Sequence, residues 1–497
     1  MSGVDTGRLR TGLHDEAHPI VYDQYLSGPP ADGLVSELRL ISEVDRAHLV
    51  MLAERGIVPA GTAAALLKTI ADLRAEDFDA VRERPMPRGV YLAYEGWLTE
   101  RLGEETGGVL HTGRSRNDLN ATTVRLRARA PYRRLLVETA GLARALLDRA
   151  EAYQDVVMPA YTHGQPAVPL GYGHYLAAVA GAVLRGLGGL LEAGRELDVN
   201  PLGAGAVGGT SVPIDPSRTA RLLGFTTVAP NSVDAVASRD FVLRLLSAAS
   251  VLGIALARTA KDFSTWTSEE YGLLHVADDL VGSSSMMPQK RNPFLLEHIQ
   301  GRATASLGSF VGAASAMATA GYTNAIAVGT EAVRQLWPGL RATTDAVTLL
   351  RLVVAGTEPE RNRMTERCVD GFTSATYLAE RLVADGMPFR AAHHLVGETV
   401  LAALDGGDPL AHAARSNPGV ARAAAGYADD WLAPGAVAAA CAHGGGPGTT
   451  GAGIDLLRSE LDTLEAAMTE HQMRWDGAAE LLAAATEKLA EGGVAAD

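Results

Sequence analysis

The run from Ala303 to Thr330 most constrains how this chain can fold, because it contains no charged side chain. The run consists mostly of Ala, Gly, Ser and Thr, so its transfer into lipid would gain little free energy. A helix without charge on any face is instead one that is surrounded by other helices. The run therefore predicts the core of a helical bundle, and such a core can be shared between copies of the chain.

The balance of charges and the cysteine content exclude several classes of protein. The chain has 497 residues, of which 58 are acidic and 44 basic, so its formal net charge is −14. That field repels a polyanion, and we expect no binding to nucleic acid. Cys368 and Cys441 lie far apart and form no CxxC pair, which argues against a disulfide framework and a cysteine metal site.

The location of the protein is predicted from its apolar segments. The first residues contain no apolar core typical of a signal peptide. A second apolar stretch, 166–184, is interrupted by prolines and glycines, so we do not interpret it as a membrane span. We expect a cytoplasmic protein that does not bind a membrane.

Helical periodicity dominates the chain and predicts a mainly α-helical protein with a long central bundle. Apolar residues that share one helical face near the start are Leu34, Leu38, Ile41, Leu49 and Leu52. Long helices are predicted over 117–153, 237–270, 294–320 and 330–355. The predicted domains are an N-terminal helical domain (1–113), the central bundle (114–360) and a C-terminal helical domain (361–497).

The first cluster of polar residues, His111 to Asp118, comes directly before a long predicted helix. Backbone N–H groups, the positive end of a helix dipole and fixed guanidinium groups together suit the binding of a carboxylate. The same residues could also form a solvated segment with Asn117 or Asp118 as the helix cap. This cluster alone leaves both interpretations open.

The second cluster, Met158 to Pro166, contains His163 at a predicted junction between helices. A lone histidine in such a place is more often a core residue with satisfied hydrogen bonds than a catalyst. Here Thr162 precedes it and Gln165 follows, so donors and acceptors converge and favour a function modestly.

The third cluster, Gly282 to Pro293, combines a loop of serine, glycine and methionine with two hydrogen-bond donors, Lys290 and Asn292. A flexible linker would explain the first half. It does not explain the order Met-Pro-Gln-Lys-Arg-Asn-Pro before a predicted helix, so this is the most specific of the three clusters.

Residues 284–293 closely resemble the GSSxMPxKxNP signature of the fumarase/aspartase superfamily, in its argininosuccinate lyase branch, although Ser283 occupies the signature's glycine position. Residues 111–118 match the family's HTGRSRND completely, and 158–165 are similar to its MPGYTHxQ segment. Two further segments that look like the same branch are 201–215 and 231–242. The resemblance extends from about residue 35 into the 320s.

This resemblance implies a three-domain fold of the fumarase/aspartase type. It also implies a homotetramer in which each active site takes residues from three subunits. The implied reaction is the elimination of a nitrogen leaving group from a succinyl substrate, with release of fumarate. Such an elimination needs a base, fixed positive charge on the carboxylate and an acid for the leaving nitrogen. No cofactor and no metal are expected.

The resemblance also assigns roles by motif position. Ser284 is the expected catalytic base, activated by loop N–H groups and by Lys290. His163 is expected to act as the general acid or to position a water, oriented by Glu297. The residues expected to bind substrate are Thr112, Arg114, Ser115, Arg116, Asn117, Thr162, Gln165, Asn292 and Tyr322.

Two departures from the family pattern concern function. Gly89 and Tyr91 stand where the family usually has Asp-x-His. In the segment that binds the arginine end of argininosuccinate, Tyr322 is retained, but Ala327 replaces a glutamine and Thr330 replaces a lysine. Each missing hydrogen bond would cost about 1–3 kcal/mol. The succinyl half of the site is therefore expected to be intact, and the leaving-group half altered.

Three functions stay open at this point. The first is a carbon–nitrogen lyase of the amidine-lyase type, similar to argininosuccinate lyase. The second is a lyase for nitrosuccinate or another N-substituted aspartate. The third is a catalytically silent structural homologue. An aromatic ammonia-lyase would need an Ala-Ser-Gly triplet for its cofactor, and the sequence has none.

Overall fold

The computed structural model describes residues 30–492 except Pro87, 425–426 and 429. Over these residues the chain is mainly α-helical, as predicted, with three short two-stranded sheets. The strands lie beside the helix ends, so the fold is organised by helix packing.

Five helices near the start of the described chain build an N-terminal core. They are α1 (Pro30–Glu54), α2 (Ala60–Ala75), α3 (Asp79–Arg82), α4 (Val90–Leu102) and α5 (Glu104–Gly107). The apolar face predicted for the first helix is confirmed, because Leu38, Leu49 and Leu52 are fully buried. Leu482 and Leu489, from the far end of the chain, complete the same core.

The central region is a bundle of long helices. Its helices are α6 (Arg116–Ala152), α7 (Tyr172–Gly194), α8 (Pro216–Leu222), α9 (Ser232–Ala237), α10 (Asp240–Trp266), α11 (Phe294–Ala303), α12 (Ala305–Ala318) and α13 (Leu336–Ala355). Helix α6 packs against both α7 and α13, and its bounds agree closely with the prediction. At about 1.5 Å per residue, its 37 residues span roughly 55 Å.

Two predicted helices are shorter than expected. The helix predicted over 294–320 is divided at Thr304, close to where Ala303 packs on Gly253 of α10. A Cβ at Gly253 would lie 1.9 Å from the Ala303 carbonyl oxygen, so only glycine permits this approach. The helix predicted over 330–355 begins at Leu336, after a π-helical segment. The small residues around Thr304 conceal the first of these breaks in the sequence.

The strands form a hairpin and two short pairs. They are β1 (Val157–Thr162), β2 (Gln165–Gly171), β3 (Val199–Asn200), β4 (Thr227–Val228), β5 (Leu274–Val276) and β6 (Thr357–Pro359). β1 pairs antiparallel with β2, β3 parallel with β4, and β5 antiparallel with β6. The segment around His163 does join two helices, α6 and α7, but it forms the β1–β2 hairpin, which was not predicted. Its prolines concealed the strands, since proline lacks the N–H of a ladder hydrogen bond.

The remaining helices form a small third core and one long return helix. They are α14 (Arg361–Asp370), α15 (Ala375–Ala384), α16 (Phe389–Gly406), α17 (Leu410–Ser416), α18 (Pro418–Ala424), α19 (Pro434–Ala440) and α20 (Thr450–Ala490). The third core is built around Leu378, Leu382 and Val420. Helix α20 packs along α7, α6 and α2, and so joins the bundle to the N-terminal core. The domain boundaries at 113 and 360 stay a prediction.

Two helical segments of the described chain, Tyr172–Asp198 and Asp240–Trp266, are long and apolar enough to cross a membrane by length and composition. Of their most apolar windows, 56% and 50% are buried against the rest of the chain. Core helices of globular proteins pass the same test.

The two ends of α6 are surrounded by different parts of the chain. At the N-terminal end, α6 contacts α9 and the glycine-rich loop 203–205. At the C-terminal end, Arg149 donates to the carbonyls of Val354 and Thr357, so α13 ends there. Strand β6 follows α13 and pairs with β5, which places the loop 277–293 at the same end as the hairpin.

Candidate active site

Residues 111–118 form the turn that begins α6. Ser115 caps the helix, because its Oγ accepts the backbone N–H of Asn117 and its own N–H donates to Asp118 Oδ1 at 2.9 Å. This reciprocal pair is a capping box. The cap is therefore Ser115, and the assignment to Asn117 or Asp118 is corrected.

Asp118 joins this turn to the glycine-rich loop. Its buried Oδ2 accepts the N–H groups of Gly203 at 3.0 Å and Gly205 at 2.9 Å. Asn117 Nδ2 donates to the Ala206 carbonyl at 3.1 Å. Gly205 has a φ of +61°, and a Cβ there would lie 2.5 Å from the Gly209 carbonyl oxygen. Asp118 is absent from the predicted site residues, although its spacing from Ser115 is the signal of a capping box.

Arg114 lies behind the turn with a fully buried side chain. Its Nη2 pairs with Asp45 and donates to the Tyr91 hydroxyl at 3.1 Å. Burial disfavours its charge, but the carboxylate of Asp45 outweighs burial and raises the pKa of Arg114. The Arg114 side chain has no exposed surface in the single chain, where it shapes the turn, and its expected contact with the substrate stays a prediction.

Two neutral histidines support the turn from the same side. His48 Nε2 lies 2.7 Å from the Thr112 carbonyl oxygen, and because a carbonyl only accepts, the imidazole N–H donates. Burial, helped by nearby guanidinium groups, lowers the pKa of His48 to about 3 and that of His111 to about 4. The predicted binding residues Thr112, Ser115, Arg116 and Asn117 stay partly or fully accessible.

The second predicted cluster is the turn of the β1–β2 hairpin. Thr162 pairs with Gln165 across the hairpin, and His163 and Gly164 have φ values of +54° and +74°. Positive φ at both central residues is typical of a type I′ turn, which matches the twist of the strands. All four residues of this turn are exposed in the single chain. The turn thus presents His163 outward rather than into the core.

The third predicted cluster is a loop closed at its base. Gly282 and Asn292 exchange two backbone hydrogen bonds of 2.8 Å, and Asn292 Nδ2 lies 3.5 Å from the Ser283 carbonyl oxygen. Within the loop, Ser284 Oγ accepts the N–H groups of Met286 at 3.3 Å and Met287 at 3.0 Å. Backbone donors therefore already surround the oxygen expected to act as base.

The charged partners expected for these residues lie at the surface. Lys290 is exposed, and Glu297, in the first turn of α11, is exposed as well. Among the hydrogen bonds of the described residues, none joins Glu297 to His163 or Lys290 to Ser284 within the chain. The single chain presents these groups without completing their expected pairs.

Tyr322 lies at the N-terminal end of the bundle, because its hydroxyl donates to Asp234 on α9. That hydrogen bond raises the pKa of the exposed Tyr322. The altered positions Ala327 and Thr330 follow in the π-helical segment Ala327–Ala332. This segment therefore belongs with the turn 111–118 rather than with the hairpin.

The predicted residues thus form two groups at opposite ends of α6. The turn 111–118 and Tyr322 lie at its N-terminal end, and the hairpin and the loop 282–293 lie at its C-terminal end. About 55 Å of helix separates them. One chain therefore cannot bring Asn117 and His163 to the same small molecule. In the described part of the chain, no group of three or more His, Cys, Asp or Glu side chains could hold a metal ion.

Comparison with known proteins identifies the class of protein to which this chain belongs. Residues 41–308 match the Lyase family, and residues 372–416 match the family described as argininosuccinate lyase C-terminal. The chain is 37% identical over 454 residues to the argininosuccinate lyase of Halobacterium salinarum, with 89% of this chain and 91% of the relative covered. It is therefore a lyase of the fumarase/aspartase superfamily.

Within that superfamily the chain belongs to the argininosuccinate lyase family, as its motifs predicted, and it is a carbon–nitrogen lyase. Among solved structures, EDDS lyase in complex with formate superposes with a TM-score of 0.82 at 28% identity, covering 97% of both chains. The class II fumarase of Schistosoma mansoni shares the fold, with a TM-score of 0.65 at 16% identity, covering 77% of this chain and 87% of the fumarase.

Proposed function

We propose that this enzyme eliminates a nitrogen leaving group from an N-substituted succinate and releases fumarate, in active sites shared between copies of the chain. The observation that carries the proposal is the separation of its motifs. The turn 111–118, the hairpin and the loop 282–293 each keep the family pattern, yet they lie at opposite ends of a helix about 55 Å long. Only another copy supplies the missing groups.

The chemistry of the loop supports this reaction. Ser284 acts as an alkoxide, which the N–H groups of Met286 and Met287 stabilise, and it becomes a neutral hydroxyl when it takes the proton from the carbon next to a substrate carboxylate. Lys290 and Asn292 bind the carboxylate on which negative charge develops. They lie in the same loop as Ser284, so one loop carries both the base and the groups that stabilise the negative charge.

The leaving nitrogen needs a proton, which a hairpin from another copy supplies. His163 is exposed on a turn whose two central residues have fixed positive φ, so its position is well defined. Glu297 of another copy orients the imidazole or a water that it holds. Thr162 and Gln165 flank the histidine and bind the succinyl unit.

The exposed apolar surface of the bundle supports assembly into a homotetramer. Val251 and Ile254 on α10 are 64% and 47% exposed, and Leu307 and Val311 on the adjacent α12 are 46% and 55% exposed. A large apolar patch on helices of a bundle marks a surface that another protein covers. Because the motifs are divided between the bundle ends, we propose that the covering surface is the same bundle in other copies.

The leaving group differs from arginine in this proposal. Ala327 and Thr330 supply no positive charge for the carboxylate of an amino acid, whereas Tyr322 stays available near Asp234. EDDS lyase is named for a different substrate from argininosuccinate and shares the fold, and a variant of it binds fumarate. Nitrosuccinate and other N-substituted aspartates are the corresponding substrates to test here.

The test is the release of fumarate, followed by its ultraviolet absorbance. Purified protein is incubated with argininosuccinate, nitrosuccinate, EDDS and other N-substituted aspartates, with Ser284→Ala as the control. Fumarate released from a substrate other than argininosuccinate, and lost in the control, supports the proposal. Rapid release from argininosuccinate would show that the altered segment does not exclude arginine. No release by folded protein from any of them would favour a silent homologue.

A further inference from the structure

The hydroxyl of Tyr91 is the centre of a buried network behind the turn 111–118. It lies 3.1 Å from Arg114 Nη2, 2.9 Å from His111 Nδ1 and 3.2 Å from Glu95 Oε1. Arg114 is held in turn by the buried Asp45. Tyr91 itself is 6% exposed, whereas the His111 side chain is 34% exposed beside the accessible residues of the turn.

The three contacts of this hydroxyl fix the protons of the network. A hydroxyl has one proton to donate and two lone pairs that accept. Arg114 only donates and the Glu95 carboxylate only accepts, so the hydroxyl proton goes to Glu95. The second lone pair of Tyr91 then accepts Nδ1–H of His111, and the other ring nitrogen, Nε2, is left as an acceptor.

We infer that Tyr91 is a positioning residue for the reaction: through His111 and Arg114 its hydroxyl holds the turn that binds the succinyl carboxylates. This inference rests on the proposed function. Gly89 permits this position of Tyr91, because it precedes α4 with a φ of +94°, a conformation that other residues rarely adopt. The two residues that depart from the family pattern, Gly89 and Tyr91, therefore act together.

The experiment measures fumarate binding by isothermal titration calorimetry in the wild-type protein, Tyr91→Phe, His111→Ala and the double variant. Tyr94→Phe is the comparison on the same helix, because Tyr94 is a buried tyrosine that faces Asp45 but makes no hydrogen bond to His111 among the described residues. We expect Tyr91→Phe to weaken fumarate binding about tenfold, the size of one lost hydrogen bond to a positioned group. Tyr94→Phe stays within about twofold of wild type.

The double variant separates positioning from general stability. In the His111→Ala background, Tyr91→Phe should weaken fumarate binding less than it does in the wild-type protein, because only the part of its effect that passes through Arg114 is left. Equal weakening by Tyr91→Phe and Tyr94→Phe would overturn the inference, and so would an undiminished Tyr91→Phe effect without His111. Wild-type protein that binds no fumarate would contradict the proposed function itself, which is a distinguishable result.

Discussion

The two ends of helix α6 differ in how completely one chain builds them. At the N-terminal end, Arg114, Asp45 and Asp118 are buried and hydrogen-bonded to residues of the same chain. At the C-terminal end, His163 and Lys290 are exposed. The first end is preorganised by folding, whereas the second is completed by another copy in the function that we propose.

The physical basis of this difference is the cost of burying charge. A buried ion is tolerated only when its partner lies within the same structure, because desolvation otherwise exceeds the gain. Arg114 meets this condition through Asp45 and Tyr91. An exposed lysine on a loop keeps its hydration until another surface replaces water. The burial of charges therefore shows which part of a shared site one chain can fix alone.

The largest expected effect comes from mixing two inactive variants. His163→Asn and Ser284→Ala should each abolish most fumarate release as pure proteins, since acid–base groups contribute about 10²–10⁴-fold. Tetramers assembled from both variants should recover roughly a quarter of wild-type activity if each site takes the two residues from different copies. Fumarate release by co-expressed, purified mixtures measures this recovery.

A matched control uses two variants of one hairpin. Thr162→Ala and His163→Asn alter adjacent residues of the same turn, so every mixed site retains at least one defect. This mixture should stay inactive. If it recovers as much activity as the first mixture, or if neither recovers, the supply of His163 and Ser284 to one site by different copies is contradicted.

The second prediction compares the stability of the two ends through the same substitution. Asp45→Asn leaves the buried Arg114 charge without its partner and should destabilise the N-terminal core by about 3–5 kcal/mol. Asp278→Asn removes the exposed partner of Arg291 beside the signature loop, and it should leave stability unchanged within error. Hydrogen exchange of α1 and α4 amides measures the difference. Equal effects of both variants would remove the contrast between the ends.

Much of the fold could be predicted from the sequence because helix periodicity is local. The bounds predicted for α6 agree with the structure to within a residue at each end, because its apolar positions repeat. The β1–β2 hairpin was missed, because prolines conceal its strands and its pairing depends on the positive φ of His163 and Gly164. The division at Thr304 was missed because it accompanies the close packing on Gly253.

The motifs of the site could be predicted from the sequence, but the residues that hold those motifs in place could not. Ser115 and Ser284 were found because they belong to local patterns of residues. The buried position of the Arg114 side chain depends on Asp45, which lies 69 residues away in the sequence. No local pattern of residues reveals such a contact. In the sequence Tyr91 stands out only as a departure from the family pattern, because the fold alone brings it to His111, 20 residues away.

The smallest predicted effect is a dependence of the N-terminal end on acid. Burial lowers the pKa of His48 from its ordinary 6.5 to about 3, so between these values the unfolded chain binds a proton that the folded chain does not. Stability therefore falls as the pH drops below about 6.5, by about 1.4 kcal/mol per unit, or roughly 2 kcal/mol at pH 5. At pH 7 both states are neutral at this residue, and its contribution is fully present.

His48→Gln isolates this contribution, because the glutamine amide can still donate to the Thr112 carbonyl but does not titrate. Hydrogen exchange of α1 and of residues 111–118 is compared at pH 7 and pH 5, corrected for intrinsic exchange rates. Wild type should lose about 2 kcal/mol more than the variant between these pH values. The β1–β2 hairpin is not held by His48, so its hydrogen exchange should change with pH to the same extent in wild type and in His48→Gln. An equal acid response of wild type and variant at the turn would mean that His48 is not the group that makes this end depend on pH.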